Sequence, residues 1–344
     1  MKILIITVTA GYGHNAVAKS LQSAFSEDDV TIIDLFQTTN NRIKMVVEKG
    51  YDILTKKMNG IYRIIYNHAL KNSSNKSSSI FKLVKYATTK NETNIIEKIK
   101  LISPDIIFCT HVFAALVMNK LKVEKIIQTQ TYGIVTDFTI HPFWEQVDNI
   151  EHIVIDNQLM KSEALSRGIR EEQILIHEIP IDPKFNIMYS KKKSSDILGL
   201  NPNKKTVLMM GGGVGCVDYY KYVKQLLLLP DSYQFLVVCG KNKKQFNKMT
   251  KLKQKNSNKE NLYIYSFVDN IEIFMSAADC IVTKPGGLTV SEVISKKLPL
   301  FLIDPIAGQE ERNLDFLVNN QYGIKISNDY RLDKAIQEYF SSVE

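Results

Sequence analysis

The segment that decides the fold spans residues 280–313, and its sequence is CIVTKPGGLTVSEVISKKLPLFLIDPIAGQEERN. This pattern predicts an apolar strand at 280–282, a glycine turn, an amphipathic helix from Leu288 and a second apolar strand at 299–303. Strand, helix and strand in this order form a βαβ unit, whose turn and following loop lie on one edge of a parallel sheet. Doubly wound folds bind their ligands at that edge, so the segment predicts a ligand site as well as a fold.

The residue types along this edge indicate the class of ligand. Gly286 and Gly287 allow close backbone approach, and the free N–H groups of the next helix turn form an anion site suited to a diphosphate. Glu292, one turn into the helix, can accept two hydroxyl hydrogen bonds, as a ribose diol would offer. The loop after the second strand supplies polar groups for another polyol, namely Gln309, Glu310, Glu311 and Asn313. An ordinary crossover would leave that polar cluster without a purpose, so the pattern favours a nucleotide sugar.

Two motifs here, PGGLTVSE at 285–292 and PIAGQEERN at 305–313, resemble the donor site of the monogalactosyldiacylglycerol synthase and processive diacylglycerol glucosyltransferase family. The resemblance implies an α/β fold of the GT-B type, in which two Rossmann-like domains face an interdomain cleft. It also implies that uracil pairs with backbone groups of Phe267 and Val268 in the segment SFVDN. The further donor-binding residues implied are Lys284, Pro285, Gly286, Gly287, Leu288, Thr289, Glu292, Gly308, Gln309, Glu310 and Asn313.

The length of 344 residues is too great for one typical core and fits two domains. We expect an acceptor-binding domain at 1–185, a donor-binding domain at 186–330 and a closing helix at 331–344 that packs toward the first domain. A strand leads into a glycine turn near residue 11 and again at 211–215, so both halves share one architecture. The second turn adds three residues to the predicted donor site: Gly211, Gly212 and Gly213.

The cysteines and the apolar runs indicate the cellular compartment of the protein. Cys109, Cys216, Cys239 and Cys280 lie far apart, with no CxxC pair, and are expected to be buried thiols in a reducing compartment. The N-terminal sequence MKILIITVTAGYGHN is predicted to be a β-strand rather than a signal peptide. No run approaches the ~18 apolar residues that span a bilayer. We therefore expect a cytoplasmic protein, peripherally associated with the inner face of the cell membrane.

Positive charge is concentrated in two segments of a chain whose net charge is +8. Residues 42–90 hold 11 Lys or Arg against 2 acids, residues 241–259 hold 8 lysines and no acid, and the remainder carries 25 basic and 34 acidic residues. In 42–90 the charges alternate with aromatic and aliphatic residues, which favours contact with an anionic membrane over a merely solvated face. The residues expected at that surface are Tyr62, Arg63, Tyr66, Phe81, Lys82 and Lys85. For 241–259 a solvated face is the simpler interpretation.

The first glycine turn allows a different function. Gly11, Gly13 and Ala16 fit the dinucleotide pattern G-x-G-x-x-G/A, and Asp34 follows about 20 residues later. Taken alone, this pattern would indicate an NAD-binding oxidoreductase. However, the residue after Gly13 is His14, and the resembled family has a strand, a glycine pair and a histidine at this place.

The resemblance then assigns residues to the chemistry. Gly13 belongs with the donor, while Tyr12, His141 and Trp144 lie beside the acceptor. His14 is the favoured base, because a helix N-terminus disfavours the imidazolium and keeps the ring neutral. Asp137 is the competing base, or the residue that orients His14. No D-x-D pair and no His/Cys cluster suggests a metal, so helix N-termini and backbone N–H groups are expected to stabilise the diphosphate.

These predictions combine into one function. The chain is expected to be an inverting, metal-independent hexosyltransferase that uses a UDP-hexose, with glucose favoured over galactose, and 1,2-diacylglycerol as acceptor. A polyprenyl-linked or other lipid acceptor is the alternative, and an NAD-binding oxidoreductase is the outside alternative. Neither a cofactor nor a nucleic acid partner is expected.

Overall fold

The computed structural model describes residues 1–9, 13–35, 92–256 and 260–343. They form two compact units, of which unit 1 comprises Met1–Pro183 and Ile306–Asn313 and unit 2 comprises Lys184–Pro305 and Leu314–Glu344. Residues 306–313, which the sequence placed within the second domain, therefore belong to unit 1. The whole basic segment 42–90 lies outside the described residues. So do these predicted acceptor or membrane residues: Tyr12, Tyr62, Arg63, Tyr66, Phe81, Lys82 and Lys85.

Unit 1 contains a six-stranded sheet in which every neighbouring pair of strands is parallel. Its strands are β1 (Lys2–Thr7), β2 (Asp29–Asp34), β3 (Ile106–Cys109), β4 (Gln130–Ile134), β5 (His152–Ile155) and β6 (Ile174–Ile176). The order in the sheet is β2-β1-β3-β4-β5-β6. Ile3, Leu4, Ile5 and Ile6 are all fully buried, as expected for a strand covered on both faces.

The helices of unit 1 follow the strands. They are α1 (Gly13–Ala24), α2 (Glu92–Ile102), α3 (Val112–Val123) and α4 (Lys161–Ser166), with short 3-10 helices that include Pro142–Gln146. Trp144, which was predicted beside the acceptor, is only 4% exposed and lies in the core of unit 1. Its ring packs so closely over β4 that a Cβ on Gly133 would lie 2.4 Å from the ring atom Cζ3. The indole therefore serves packing.

Unit 2 contains a second six-stranded parallel sheet in the order β12-β11-β10-β7-β8-β9. Its strands are β7 (Lys205–Met210), β8 (Tyr233–Val238), β9 (Leu262–Tyr265), β10 (Cys280–Thr283), β11 (Leu300–Leu302) and β12 (Ile324–Lys325). The helices numbered next are α5 (Lys191–Leu198), α6 (Tyr219–Leu226), α7 (Lys243–Lys255), α8 (Ile271–Ala277), α9 (Gly287–Ser295), α10 (Gln309–Asn319) and α11 (Leu332–Val343). Helix α10 contains the unit boundary, because Gln309–Asn313 belongs to unit 1.

The closing helix α11 buries its apolar face in the core of unit 2. Leu332, Ala335, Ile336 and Phe340 join the same cluster as residues of β7 and β8. The predicted i, i+3, i+4 spacing thus marks the buried face, and its packing partner is the second unit's own sheet. None of the helices in the described part of the chain is both long enough and apolar enough to cross a membrane.

Each sheet has a point where the strand order reverses. In unit 1 the chain runs from β1 to β2 on one side and then returns to β3 on the other side of β1. In unit 2 it runs from β7 through β8 to β9 and returns to β10 beside β7. Loops leave the sheet in opposite directions at such a point and open a crevice at the carboxyl ends of the strands. The loops after β1 and β3, and those after β7 and β10, are therefore the places to look for a site.

The glycine turn after β7 packs directly against the turn after β8. Gly215 has a φ of +66°, and a Cβ there would lie 2.0 Å from the carbonyl oxygen of Cys239. The side-chain amide of Asn242 donates a hydrogen bond to the carbonyl oxygen of Gly215, at 3.0 Å. Both the backbone conformation and the contact require glycine at this position.

We expect Gly215→Ala to destabilise the protein more than Gly199→Ala does. Gly199 has nearly the same φ, +65°, but has open space where a Cβ would lie. Alanine at either site costs about 1 kcal/mol for the left-handed conformation, and at Gly215 the backbone clash adds ~1–3 kcal/mol. Urea denaturation of both variants measures the difference. Equal losses would show that the turn after β7 shifts without strain.

Candidate active site

His14 lies at the start of α1, where the chain leaves β1. Its Nδ1 atom is 2.9 Å from the carbonyl oxygen of Thr110, the residue after β3, and 3.0 Å from the hydroxyl oxygen of Thr136. A carbonyl oxygen only accepts hydrogen bonds, so the ring proton is on Nδ1 and the Thr136 oxygen shares it. The Nε2 atom of the neutral ring then carries a lone pair. His14 is consequently arranged to accept a proton at Nε2.

The protonation state of His14 fits this role. Burial lowers its pKa to about 4, and the hydrogen bond to the Thr110 carbonyl opposes that shift. His14 as a residue is half-buried, and the surroundings of its ring disfavour the imidazolium. Desolvation is thus the main cause of the lowered pKa, rather than the helix N-terminus that the sequence suggested, and the role of His14 as the base remains a prediction.

A row of aromatic rings extends from His14 across unit 1. The rings of His14 and His111 meet edge to face, with centroids 4.4 Å apart. Phe113 follows at 4.7 Å from His111, Phe143 at 6.0 Å from Phe113, and His141 at 5.0 Å from Phe143. His111 and Phe113 lie at the start of α3, and His141 and Phe143 at the start of the 3-10 helix Pro142–Gln146. Phe143 is buried, so the half-buried Phe113 is the apolar ring of the row that keeps exposed surface.

The other two histidines of this row have the opposite tautomer. The Nδ1 atom of His111 accepts a hydrogen bond from the Phe113 N–H at 3.0 Å, and that of His141 accepts from the Phe143 N–H at 3.2 Å. Each neutral ring must therefore carry its proton on Nε2. Burial lowers the pKa of both, to about 3 for His141, where the cation of Arg312 contributes as well. His111 and His141 are thus hydrogen-bond donors at Nε2, unlike His14.

Asp137, the alternative base, is held by a residue of the 305–313 motif. The side-chain amide of Asn313 donates to Asp137 Oδ1 at 2.8 Å, and the Asn313 Oδ1 atom accepts from the Phe138 N–H at 3.1 Å. Asn313 is fully buried. Asn313 thus orients Asp137, and its predicted contact with the donor hexose remains a prediction.

Other residues of the same motif fasten to the loop after β4. The Gln309 amide donates to the carbonyl and hydroxyl oxygens of Thr139, at 3.1 and 2.9 Å. The Arg312 guanidinium donates to the Ile140 carbonyl oxygen at 2.9 Å and pairs with Glu163, whose other oxygen accepts from the Ile140 N–H at 3.1 Å. This fastening of 306–313 to 137–140 was missed by the sequence interpretation, since Arg312 and Glu163 are 149 positions apart.

The first-turn acids of α10 also bind backbone. Glu310 Oε2 accepts from the Ile306 N–H at 2.9 Å, and Glu311 Oε2 accepts from the Gly308 N–H at 3.0 Å. Gly308 has a φ of +85°, which explains the need for glycine there. Gly308 and Glu310 thus shape the loop, and their predicted contact with the donor remains a prediction.

In unit 2 the structure brings two of the predicted donor segments together. Strands β7 and β10 are neighbours, so the glycine turn at 211–213 lies beside the segment 284–289. A Cβ on Gly212 would be 3.5 Å from the Cε atom of Lys284. Gly286 is the N-cap of α9 and has no side chain to bond the first-turn N–H groups. Those N–H groups and the Lys284 side chain therefore form a cationic corner at the point where the strand order of this sheet reverses.

The segment after β9 presents an aromatic ring. Phe267 is 45% exposed, and the ammonium group of Lys241, in the turn after β8, lies 5.2 Å from its centroid. Val268 is half-buried, as is Glu292 on α9. These residues follow neighbouring strands at the same edge as the cationic corner, where the sequence placed uracil and ribose.

Two further observations bear on the alternative functions. Asp34, the acid that a dinucleotide site would need for ribose, is 9% exposed, and its carboxylate accepts hydrogen bonds from the backbone and hydroxyl of Thr9. Among the described residues, no group of three His, Cys, Asp or Glu side chains could hold a metal ion. The four cysteines are free thiols, of which Cys216 is partly exposed and the others are buried.

Comparison with known sequences decides the family. The monogalactosyldiacylglycerol (MGDG) synthase family matches residues 14–181, and the glycosyltransferase family 28 C-terminal domain matches residues 206–343. A processive diacylglycerol beta-glucosyltransferase of Bacillus pumilus is 30% identical over 328 residues, which cover 94% of this chain and 82% of the relative. The chain belongs to this synthase family. The Bacillus subtilis relative of the same name is 27% identical over 330 residues, covering 95% and 83% of the two chains.

Solved structures agree on the fold. The alignment with a glycosyltransferase of Rickettsia africae covers 99% of this chain and 88% of that protein, with a TM-score of 0.56 and 16% identity. MurG of Acinetobacter baumannii covers 99% and 90%, with a TM-score of 0.56 and 14% identity. The predicted GT-B fold of two Rossmann-like domains is confirmed. The predicted enzyme class is confirmed as well, since this family consists of glycosyltransferases that transfer hexoses.

We expect Asn313→Ala to destabilise unit 1 by about 1–3 kcal/mol, because it removes two buried hydrogen bonds, one from the Phe138 N–H and one to the Asp137 carboxylate. Asn320→Ala, just after the C-terminal end of α10, is the matched control, since it removes one hydrogen bond to the Phe316 carbonyl on a half-buried surface. Thermal unfolding of both variants gives the comparison. Equal stability of Asn313→Ala and wild type would contradict the orienting role.

Proposed function

We propose that the protein is an inverting, metal-independent hexosyltransferase that moves glucose from UDP-glucose to the free hydroxyl of 1,2-diacylglycerol. The observation that carries the proposal is the 2.9 Å contact between His14 Nδ1 and the Thr110 carbonyl oxygen, from which we infer that Nε2 of the neutral ring can accept a proton. The curated relatives are named diacylglycerol beta-glucosyltransferases, which supports diacylglycerol as acceptor and glucose over galactose. Work on a lipid implies that the protein operates at a membrane surface.

In the proposed step, His14 Nε2 takes the proton from the acceptor hydroxyl as its oxygen attacks the anomeric carbon of glucose. The bond from that carbon to the diphosphate oxygen breaks, and UDP leaves with the bonding electron pair. One displacement inverts the anomeric centre, so the α-linked donor gives a β-glucoside. Asp137 directly follows Thr136, whose hydroxyl contacts the His14 ring, and Asn313 orients its carboxylate. Asp137 is therefore the alternative base.

The leaving UDP gains negative charge, which unit 2 is suited to stabilise. The first-turn N–H groups of α9 and the backbone of the glycine turn after β7 can donate to the diphosphate oxygens, and Lys284 adds a cation. The predicted donor residues Gly211, Gly213, Pro285, Gly287, Leu288 and Thr289 all lie in these two segments. Phe267 and Val268 are assigned to the uracil, and Glu292 to the ribose.

The row of aromatic rings beside His14 suits a lipid acceptor. Diacylglycerol is an apolar molecule with one hydroxyl to deprotonate, and the half-buried ring of Phe113 lies next to His111, which contacts the proposed base. His111 carries an Nε2 proton that can donate to an ester oxygen of such a lipid. Trp144, like Phe143, is buried, and its predicted place beside the acceptor remains a prediction.

We expect His14→Gln to lower kcat by ~10²–10⁴-fold, because general-base catalysis is lost. Thr136→Val, which removes one of two acceptors of the ring proton, should lower kcat about fivefold. His177→Asn, at an exposed histidine whose Nδ1 contacts the Glu178 carbonyl, is the control and should turn over normally. Normal turnover of His14→Gln together with loss in Asp137→Asn would make Asp137 the base.

The same proposal fixes a pH profile. His14 is active when neutral, so kcat/KM should be level near neutral pH and fall as the pH drops toward the pKa of about 4. In the unfolded chain the same histidine has its ordinary pKa of 6.5, so on acidification it binds a proton before the folded chain does. The free energy of unfolding therefore also decreases as the pH falls below 6.5. Circular dichroism at each pH separates the two effects. An acid limb at pH 6.5 in a fully folded enzyme would contradict the buried neutral base.

We expect turnover of UDP-glucose with dioleoylglycerol in neutral detergent micelles, with UDP-galactose slower and the product β-linked by its NMR coupling constant. Excess EDTA should leave the rate unchanged. Calorimetric titration with UDP and with NAD tests the donor class separately from turnover. Binding of NAD but not UDP, an α-linked product or a rate abolished by EDTA would each contradict part of the proposal.

A further inference from the structure

One helix of unit 2 carries an unusual surface. Helix α7 contains six lysines and no acid, and four of them, Lys244, Lys248, Lys251 and Lys255, are exposed at spacings of 4, 3 and 4 residues. Such spacing puts all four on one side of a helix. Exposed Lys224 of the neighbouring helix α6 joins them. We call these five residues the lysine face.

A tyrosine fixes the two helices of the lysine face together. The ammonium groups of Lys248 and Lys224 lie 4.4 and 4.7 Å from the ring centroid of Tyr220, on α6. Tyr220 itself packs against the core of unit 2 through its partly buried side. One ring thus draws two like charges together, which concentrates positive charge at one place on the surface.

The lysines of α7 lower the intrinsic stability of that helix. Like charges four residues apart destabilise a helix, and Lys243 and Lys244 stand at the N-terminus, where the helix dipole disfavours cations. None of the five lysines pairs with an acid within the described part of the chain. A solvated helix face with no partner would gain from a few acids at these positions, so the pattern points to an external anionic partner.

We propose that the lysine face docks the protein on an anionic lipid bilayer. An extended row of exposed cations, with an aromatic ring among them, suits a plane of anionic headgroups. Outside the two basic segments the chain has 25 basic and 34 acidic residues, so an anionic bilayer repels the rest of the protein and orients the lysine face toward itself. This inference rests on the proposed lipid acceptor for its choice of bilayer over other polyanions.

The test compares two full-length variants of equal charge. The lysine-face variant, K244Q/K248Q/K251Q/K255Q, neutralises the four lysines of the face that lie on α7. The control, K192Q/K297Q/K325Q/K334Q, neutralises four exposed lysines elsewhere on unit 2. Co-sedimentation uses vesicles of phosphatidylcholine alone or mixed with phosphatidylglycerol, at about 0.1 and 1 M salt. Wild type and control should bind the mixed vesicles at low salt, and the lysine-face variant at least about tenfold more weakly. Its Tm should equal or exceed that of wild type.

Turnover separates this inference from the proposed function. The lysine-face variant should match wild type with diacylglycerol in neutral micelles and lose about tenfold on mixed vesicles. Equal vesicle binding by variant and wild type would overturn the lysine face while leaving the transferase intact. Tight binding of wild type to double-stranded DNA, without preference for anionic vesicles, would overturn it in favour of a nucleic acid. Absence of UDP binding and of turnover, with vesicle binding as expected, would overturn the transferase alone.

Discussion

The parallel pairing of β1 with β3 is the constraint on which the candidate chemistry depends. Its register, with Ile6 opposite Cys109, brings the carboxyl ends of two strands together that are about 100 residues apart in sequence. His14 and Thr110 follow those strands, and the carbonyl of Thr110 holds the His14 proton on Nδ1. Because a backbone carbonyl cannot donate, the tautomer is fixed by the sheet. A proton-accepting Nε2 is thus a consequence of strand order.

A second feature concerns the motif by which the family is identified. Residues 306–313 follow β11 in sequence but belong to unit 1, where Gln309, Arg312 and Asn313 bond the loop after β4. The residue types that suggested sugar contacts are therefore engaged in orienting Asp137 and its loop. A polar motif can serve both purposes at different stages, since side-chain hydrogen bonds exchange at modest net cost. Its donor-binding role stays a prediction.

At two places in unit 2 the local sequence or conformation is less stable than an ordinary alternative would be. The turn after β7 needs glycine at Gly215 because the Cys239 carbonyl occupies the space of a side chain. Helix α7 accepts like-charged neighbours and cations at its N-terminus. Sequences that contradict their own local stability rules do so mainly at functional positions. The turn at Gly215 adjoins the cationic corner that we propose for the diphosphate, and helix α7 is the proposed bilayer contact.

The sequence by itself determined the strands, the glycine turns and the family, because apolar runs, positive-φ glycines and contiguous motifs are local patterns. It also named His14 and Asp137. Only the tertiary structure decided that burial keeps His14 neutral, that Trp144 is a core residue and that Asn313 holds Asp137. It alone showed that His111 and His141 have the opposite tautomer from His14. These properties arise from desolvation and from hydrogen bonds between residues up to 176 positions apart. No local pattern encodes such contacts, since they exist only once the two sheets have formed.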